Sequence, residues 1–308
     1  MVDGMSDDGT RAILADLARR EERLRVIDNT GRITACGFNA AIRAARGRYI
    51  ALLGAHATYA PDYLTTCVEV AHATSADNVG GAMSCTGETH LQKAIGLAHH
   101  SPFSVGGARW HNAAYEGWAD TVFGGFYERS VFERIGLFDE TLVRNQDDEL
   151  NLRLTRAGGK IWHSPRIRSW YHPRASLAAL FRQYLQYGYW KVRVIQKHRR
   201  PASLRHVIPA AFVVLLALLP AAGLFYTPVL WLWFGMIGLY IASDFFAAAL
   251  TARRSWKFFL LLTVVFPMYH FGYGIGFLAG VLDFCIFHRE PSKIFTGLTR
   301  SSTPLERT

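Results

Sequence analysis

The last third of the chain sets the strongest constraint on its fold. Residues 207–226 carry no charged side chain, 228–250 carry only Asp244, and 258–282 hold only His270 as a titratable group of note. A helix of roughly 20 apolar residues spans a bilayer core. One apolar stretch can be the centre of a soluble domain, but three in succession call for a membrane part. The third holds Pro267 and four glycines, so a bent or re-entrant segment is expected there. The 308 residues therefore divide into a mixed, charged unit over 1–200 and a membrane unit over 201–308, with apolar segments at 207–226, 228–250 and 258–284.

Charge follows the same division. The net charge is +10, and it is unevenly placed. Lys191, Arg193, Lys197, Arg199, Arg200 and Arg205 precede the first apolar segment with no acid among them, and Arg253, Arg254 and Lys257 separate the second from the third. The loop around Thr227 carries none. By the positive-inside rule the N-terminal unit and the Arg253 loop face the cytosol. The expected location is the cytoplasmic (inner) membrane, crossed more than once, with the N-terminal domain on the cytosolic side. The basic run is expected to lie on anionic headgroups, each cation contributing about 1 kcal/mol. Cations crowded against a membrane segment form no nucleic-acid module, so no nucleic-acid partner is expected. Arg289, Lys293, Arg300 and Arg307 make the tail basic again, which favours a cytosolic tail and a re-entrant third segment. Cys36, Cys67, Cys85 and Cys285 form no CxxC pair, which argues against a zinc site or disulfide frame and suits a reducing compartment. Residues 1–30 are polar and acidic, unlike a secretory signal.

Along 1–200, helices and strands alternate, which predicts an α/β layered domain. An amphipathic helix follows Asp7-Asp8-Gly9-Thr10, with Ser6 or Asp7 as its cap. Leu24–Ile27 reads as a strand and Ala35–Ala45 as a helix. Tyr49–Leu53 is apolar without alternation, as in a strand buried on both faces of a parallel sheet. Pro61 opens a helix through Ala73, and Val79–Met83 is a strand. A helix from near Asp148 ends at Gly158-Gly159, and Lys160–His163 is a strand. The first clear element is a helix, preceded only by Met1–Ser6. The strand-turn-helix that opens most nucleotide-binding α/β domains is thus expected to be absent, or to lie upstream of a misassigned Met1.

Several short motifs carry chemistry. Val2-Asp3-Gly4-Met5-Ser6-Asp7-Asp8 is an acidic turn at a strand end, where a carboxylate accepts from ribose or base donors; a plain capped turn reads equally well. Arg46-Gly47-Arg48-Tyr49-Ile50 leads to Leu53-Gly54-Ala55-His56. Thr121-Val122-Phe123-Gly124-Gly125 has paired glycines that admit a ligand close to the backbone, or make a simple tight turn. Asn145-Gln146-Asp147-Asp148-Glu149 crowds three acids, which raise one another's pKa, although Asp148 and Glu149 also suit a helix start. Arg182-Gln183-Tyr184 and Tyr187-Gly188-Tyr189-Trp190-Lys191 join aromatic faces to cations, as a sugar diphosphate site or an interfacial helix requires.

In this order, and with His270-Phe271-Gly272-Tyr273-Gly274-Ile275-Gly276-Phe277 near the end, the motifs resemble family 2 glycosyltransferases of the GT-A fold, nearest the succinoglycan-type glucosyltransferases of exopolysaccharide biosynthesis. The resemblance covers about residues 2–290. It implies an inverting enzyme that takes glucose from a UDP-sugar and extends a saccharide on a polyprenyl-diphosphate carrier. Asp147 would be the general base. Asp3 and His56 would meet the nucleotide and its diphosphate, Gly124, Gly125 and Asp148 the acceptor side, and Arg182, Gln183 and Trp190 the segment closing over the donor. Mg²⁺ or Mn²⁺ on the diphosphate is part of the same implication, but Gly54 stands where the first metal-binding Asp belongs, leaving His56. The segment lacks a full Gln-x-x-Arg-Trp, so long-chain polymerisation is not expected. A truncated or degenerate, non-catalytic membrane relative is the alternative. A small transporter fits poorly, because Asp244, His270 and Asp283 make no evident relay.

Overall fold

The computed structural model describes residues 1–81, 83–199 and 203–297; Arg200, Arg300 and Arg307 lie outside them. The chain opens with β1 (Val2–Asp3), α1 (Thr10–Arg20), β2 (Ile27–Asp28), α2 (Thr34–Ala44), β3 (Tyr49–Ala51), β4 (Ala57–Tyr59) and α3 (Tyr63–Thr74). Then come β5 (Asn78–Gly81), β6 (Met83–Cys85), α4 (His90–His99), α5 (Pro102–Val105), β7 (Gly117–Trp118), β8 (Phe123–Glu128) and α6 (Arg129–Ile135). The domain closes with α7 (Gln146–Arg156), β9 (Ile161–His163), β10 (Ser169–Tyr171) and α8 (Leu177–His198). Beyond it are α9 (Ile208–Gly223), α10 (Pro228–Ala252), α11 (Phe259–Gly280) and α12 (Lys293–Thr296).

The strands form three sheets, ordered β1-β2, β4-β10-β6 and β3-β8-β5-β9-β7. The α/β layering is as expected, and four details differ. Met1–Ser6 contains a strand, β1, which pairs in parallel with β2. The strand at Tyr49 is not inside a parallel sheet: β3 is an edge strand, antiparallel to β8, with only Ile50 of its three residues fully buried. The run Val79–Met83 divides between two sheets, β5 in one and β6 in another. Neither Ser6 nor Asp7 caps α1; Gly9 at φ 90° starts it, and Asp8 accepts from Thr10 N.

Polar links lock α7 onto the large sheet. Asn151 Oδ1 accepts from Asn78 Nδ2 at 3.0 Å and from Tyr127 Oη at 2.9 Å, and Asn151 Nδ2 donates to Thr121 Oγ1 at 2.8 Å. All four groups are satisfied where the sheet meets the helix, with Asn78 and Asn151 fully buried. Asn39 pins the loop before α7: it donates to Phe138 O at 2.9 Å and accepts from Phe138 N at 2.9 Å.

The apolar helices are not alike. Two are long and apolar enough to cross a membrane, α10 and the stretch Trp256–Ile286; α9 has 16 residues and is shorter than the segment 207–226 promised. α9 and α10 pack together as a hairpin with most side chains on the outside. α11 instead lies along the domain. Its first half packs on α4 through Leu262, Val265, Phe266 and Tyr269, and its second half packs on α8. Glycines make that second contact possible. A Cβ on Gly276 would come within 1.9 Å of Leu185 O, on Gly188 within 2.0 Å of Tyr273 O, and on Gly280 within 2.7 Å of Tyr189 O. Phe181 faces Gly272, Leu185 faces Gly276 and Tyr189 faces Gly280, a constant offset, so the two helices run parallel with backbones touching. The glycines of the third segment thus serve a helix laid against the domain.

Candidate active site

The three adjacent acids at the start of α7 have three different surroundings, because successive helical residues turn by about 100°. Glu149 is fully buried and meets Arg153 Nε at 2.9 Å, Lys197 Nζ at 2.9 Å and His198 Nε2 at 3.0 Å. Burial alone would raise its pKa; the bonds from Arg153 and Lys197 outweigh that and hold it below the usual range. Asp148 is ion-paired to the buried Lys191 of α8. Burial again opposes ionisation, and the Lys191 charge and hydrogen bond reverse the balance, so its pKa is lowered. Asp147 accepts no side-chain hydrogen bond among the described residues and opens to solvent. Its pKa is raised, first by the protein packed around it and then by the charge of Asp148. Asn151, one turn on, fixes the helix face that carries Asp147.

Asn145, at φ 60°, turns the chain into α7 and donates Nδ2 to Tyr187 O of α8 at 2.9 Å. Arg144 Nε donates to Gln186 Oε1 at 3.0 Å, and Arg174 Nε donates to Gln183 Oε1 at 3.2 Å. Gln183 in turn donates to Tyr187 Oη at 2.9 Å. Across from this wall the chain leaves β3. Gly54 N donates to Tyr59 Oη at 2.8 Å, and His56 meets Tyr171 edge-on, centroids 5.3 Å apart. Gly125 O accepts from Leu52 N at 3.0 Å, which seats Gly124 and Gly125, at φ 77° and 86°, beside the same strand end. The cleft is therefore built from the end of β3, the start of β8, the start of α7, the first half of α8 and the chain after β10.

Asp147, His56, Gly124, Gly125 and Gln183 come together in this cleft, and Asp148 adjoins it with its carboxyl turned to Lys191. Asp3 is in the separate β1-β2 sheet, 4% exposed, with Oδ2 accepting from Ser6 N and Arg11 Nη1, both at 3.0 Å. Trp190, expected at the donor, is 1% exposed and donates Nε1 to Phe295 O at 3.0 Å, so its ring belongs to the core between α8 and α12. Arg182 is exposed and forms no ion pair among the described residues. On this side of α8 the cations held by side-chain bonds are Arg144, to Gln186, and Arg174, to Gln183. Arg144 adjoins the acidic motif and was within reach of the sequence; Arg174 is set there only by the fold. The basic run is also partly consumed: Lys191 pairs with Asp148, Lys197 with Asp139 and Glu149, and Arg205 with Asp120 at 2.6 Å. These acids are remote in sequence, so the run looked free for headgroups.

No cluster of three or more His, Cys, Asp or Glu side chains suited to a metal occurs among the described residues. A Cβ at Gly54 would meet His56 Cε1 at 2.9 Å, so the imidazole fills the space where a side chain at 54 would start. At this strand end Gly54 offers no ligand and His56 offers a ring nitrogen, whereas a hard cation prefers several oxygen ligands.

The model described as "Glycosyl transferase family 2" matches residues 1–136. The chain is 33% identical over 287 residues to succinoglycan biosynthesis protein ExoA of Rhizobium meliloti (strain 1021), covering 92% of this chain and 86% of that protein. It is 26% identical over 290 residues to the dolichyl N-acetyl-alpha-D-glucosaminyl phosphate 3-beta-D-2,3-diacetamido-2,3-dideoxy-beta-D-glucuronosyltransferase of Methanococcus voltae, covering 91% and 86%. In fold it resembles the mannosyltransferase PcManGT of Pyrobaculum calidifontis, solved with GDP-Man and Mn²⁺, at TM-score 0.53 and 20% identity over 90% of this chain and 76% of that one.

Proposed function

The chain belongs to glycosyltransferase family 2, and we propose that it is an inverting enzyme that transfers glucose from a UDP-sugar to a polyprenyl-diphosphate-linked saccharide in exopolysaccharide synthesis. Sugar transfer follows from the family; donor, acceptor and inversion are our reading. One observation carries it: of three adjacent acids, Asp147 alone opens into the cleft without a cation bonded to it, while α8 holds the other two. Asp147 takes the proton of the acceptor hydroxyl as its oxygen attacks the anomeric carbon. The bond to the nucleoside diphosphate breaks on the opposite face. Gly124 and Gly125 let the sugars approach the backbone, and Gln183 and Gln186 fix the two arginines. A lipid-linked acceptor is supported by the M. voltae relative, whose name specifies a dolichyl phosphate substrate, and by the apolar helices that follow α8. In this reading the domain faces the cytosol at the inner membrane, with the α9–α10 hairpin inserted into the bilayer.

The test is transfer of labelled glucose from UDP-glucose into the lipid fraction of membranes containing the chain. Label in a lipid-linked, acid-labile product supports the reading, and β-configuration of the new linkage supports inversion. Gly54 favours a second reading, a non-catalytic relative. Absence of transfer from every UDP- and GDP-sugar tried, with the folded protein present, would establish that reading instead.

A further inference from the structure

Beyond α11 the chain returns along α8 as a strap, made of the π-helical turn Val281–Ile286, an irregular piece and α12. Its inner side is bonded to α8 at several points. Tyr189 Oη donates to Asp283 Oδ2 at 2.8 Å and accepts from Ser292 N at 3.1 Å. Gln196 Nε2 donates to Phe284 O, Trp190 Nε1 to Phe295 O and Gln186 Nε2 to Gly297 O, each at 3.0 Å. The Phe295 ring stacks on Tyr189 with centroids 3.9 Å apart, and Phe284 and Phe295 are both buried.

The outer side of the strap is apolar and uncovered. Leu282, Cys285, Ile286 and Phe287 are exposed, and so is Ile294 on α12. Fully burying one large apolar side chain is worth about 1.5–3 kcal/mol, so a group of them left open marks a contact surface. The fold decides what covers it. The bonds to α8 hold the strap on the domain side of a bilayer, although the stretch Trp256–Ile286 is long enough to cross one. Ala210, in the first turn of α9, packs in one core cluster with Tyr189, Phe284 and Phe295. The strap therefore sits at the foot of the α9–α10 hairpin, where an inserted hairpin brings the headgroup layer. Arg289 and Lys293 are exposed in the strap and form no ion pair among the described residues. Glu290 is the acid exposed with them.

We propose that residues 282–294 dock on the lipid surface that faces the domain. Leu282, Ile286, Phe287 and Ile294 enter among the upper acyl carbons, and Arg289 and Lys293 meet headgroup phosphates. The proposal rests on the insertion of the hairpin read above and not on the chemistry of transfer. It gives the membrane a second hold on α8, the helix whose Lys191 and Lys197 bind Asp148 and Glu149.

The experiment puts a bimane fluorophore on Cys285 of the full-length chain, in a Cys36→Ser background, reconstituted in vesicles of phosphatidylcholine and phosphatidylglycerol. Burial pushes the Cys67 and Cys85 thiols up to about 12, so they react slowly, and Cys285→Ser supplies the blank. Docking predicts strong quenching by a lipid that carries a nitroxide near its headgroup, and little by iodide present on both sides of the vesicle. Ile286→Asp combined with Phe287→Asp should reverse both results. Quenching by iodide and not by the nitroxide lipid overturns the proposal. A label shielded from both quenchers also overturns it, because a protein surface then covers the strap, and so does a label unmoved by the double substitution. A second label at the hairpin tip, Phe225→Cys with Cys285→Ser, tests insertion separately; Phe225 is 92% exposed. It should be quenched by a nitroxide deep in the acyl chain, and should stay so in the double variant if that variant is folded. Quenching at the tip with none at Cys285 leaves the hairpin inserted and removes the strap contact. Quenching at Cys285 with none at the tip keeps the strap contact and removes the insertion.

Discussion

Asp147, Asp148 and Glu149 are chemically near-identical neighbours, and only their partners tell them apart. Those partners are Lys191, Lys197 and His198, more than forty positions along the chain. The crowding of acids was legible in the sequence; its division into one open carboxyl and two bonded ones was not. The division has kinetic consequences. Asp147→Asn should lower kcat by about 10²–10⁴, the usual worth of a positioned base, with the UDP affinity little changed. A base works deprotonated, so activity should fall as pH drops through the Asp147 pKa, which lies above the ordinary carboxylate range. Lys191→Met removes a cation that lowers that pKa and leaves Asp148 without its partner. The acid limb of the pH–kcat profile should then move to higher pH. An unmoved limb in that variant would show that Lys191 does not tune the base.

At the scale of elements, the helices were readable because apolar residues mark their buried faces. Helix α2 was expected at Ala35–Ala45 and spans Thr34–Ala44. The strands were harder. β3 has three residues, too few to show whether its neighbours run parallel or antiparallel, and β5 and β6 are nearly contiguous in sequence yet belong to different sheets. Asn151 shows what joins the layers. Its replacement by Ala strands Asn78, Tyr127 and Thr121 without their partner and should cost about 3 kcal/mol. A urea titration reads this as a lower midpoint with an unchanged slope. The seam between α8 and α11 makes a separate prediction. Gly276→Leu must push α11 off Leu185, an overpacking worth about 1–3 kcal/mol. Because α8 carries Lys191 and Lys197, the same change should also depress turnover, measured as kcat at saturating donor.

For the whole molecule, two parts are joined by α8, whose residues line the cleft, bind the acids of α7 and seat the glycines of α11. The division into an α/β domain and an apolar part was visible from composition. That the third apolar stretch lies along the domain was not, since a helix packed on α4 and α8 needs the same residue types as one packed on lipid. The hairpin of α9 and α10 leaves its apolar surface uncovered, so the chain should stay in the membrane pellet through alkaline carbonate washing; release by salt alone would indicate surface attachment only. The decisive measurement is the initial rate of glucose transfer from UDP-glucose to membrane lipid, by the parent chain and by Asp147→Asn at equal amounts of folded protein. The account predicts labelled lipid from the parent and a loss of at least about a hundredfold in the variant. Equal rates from both would contradict it.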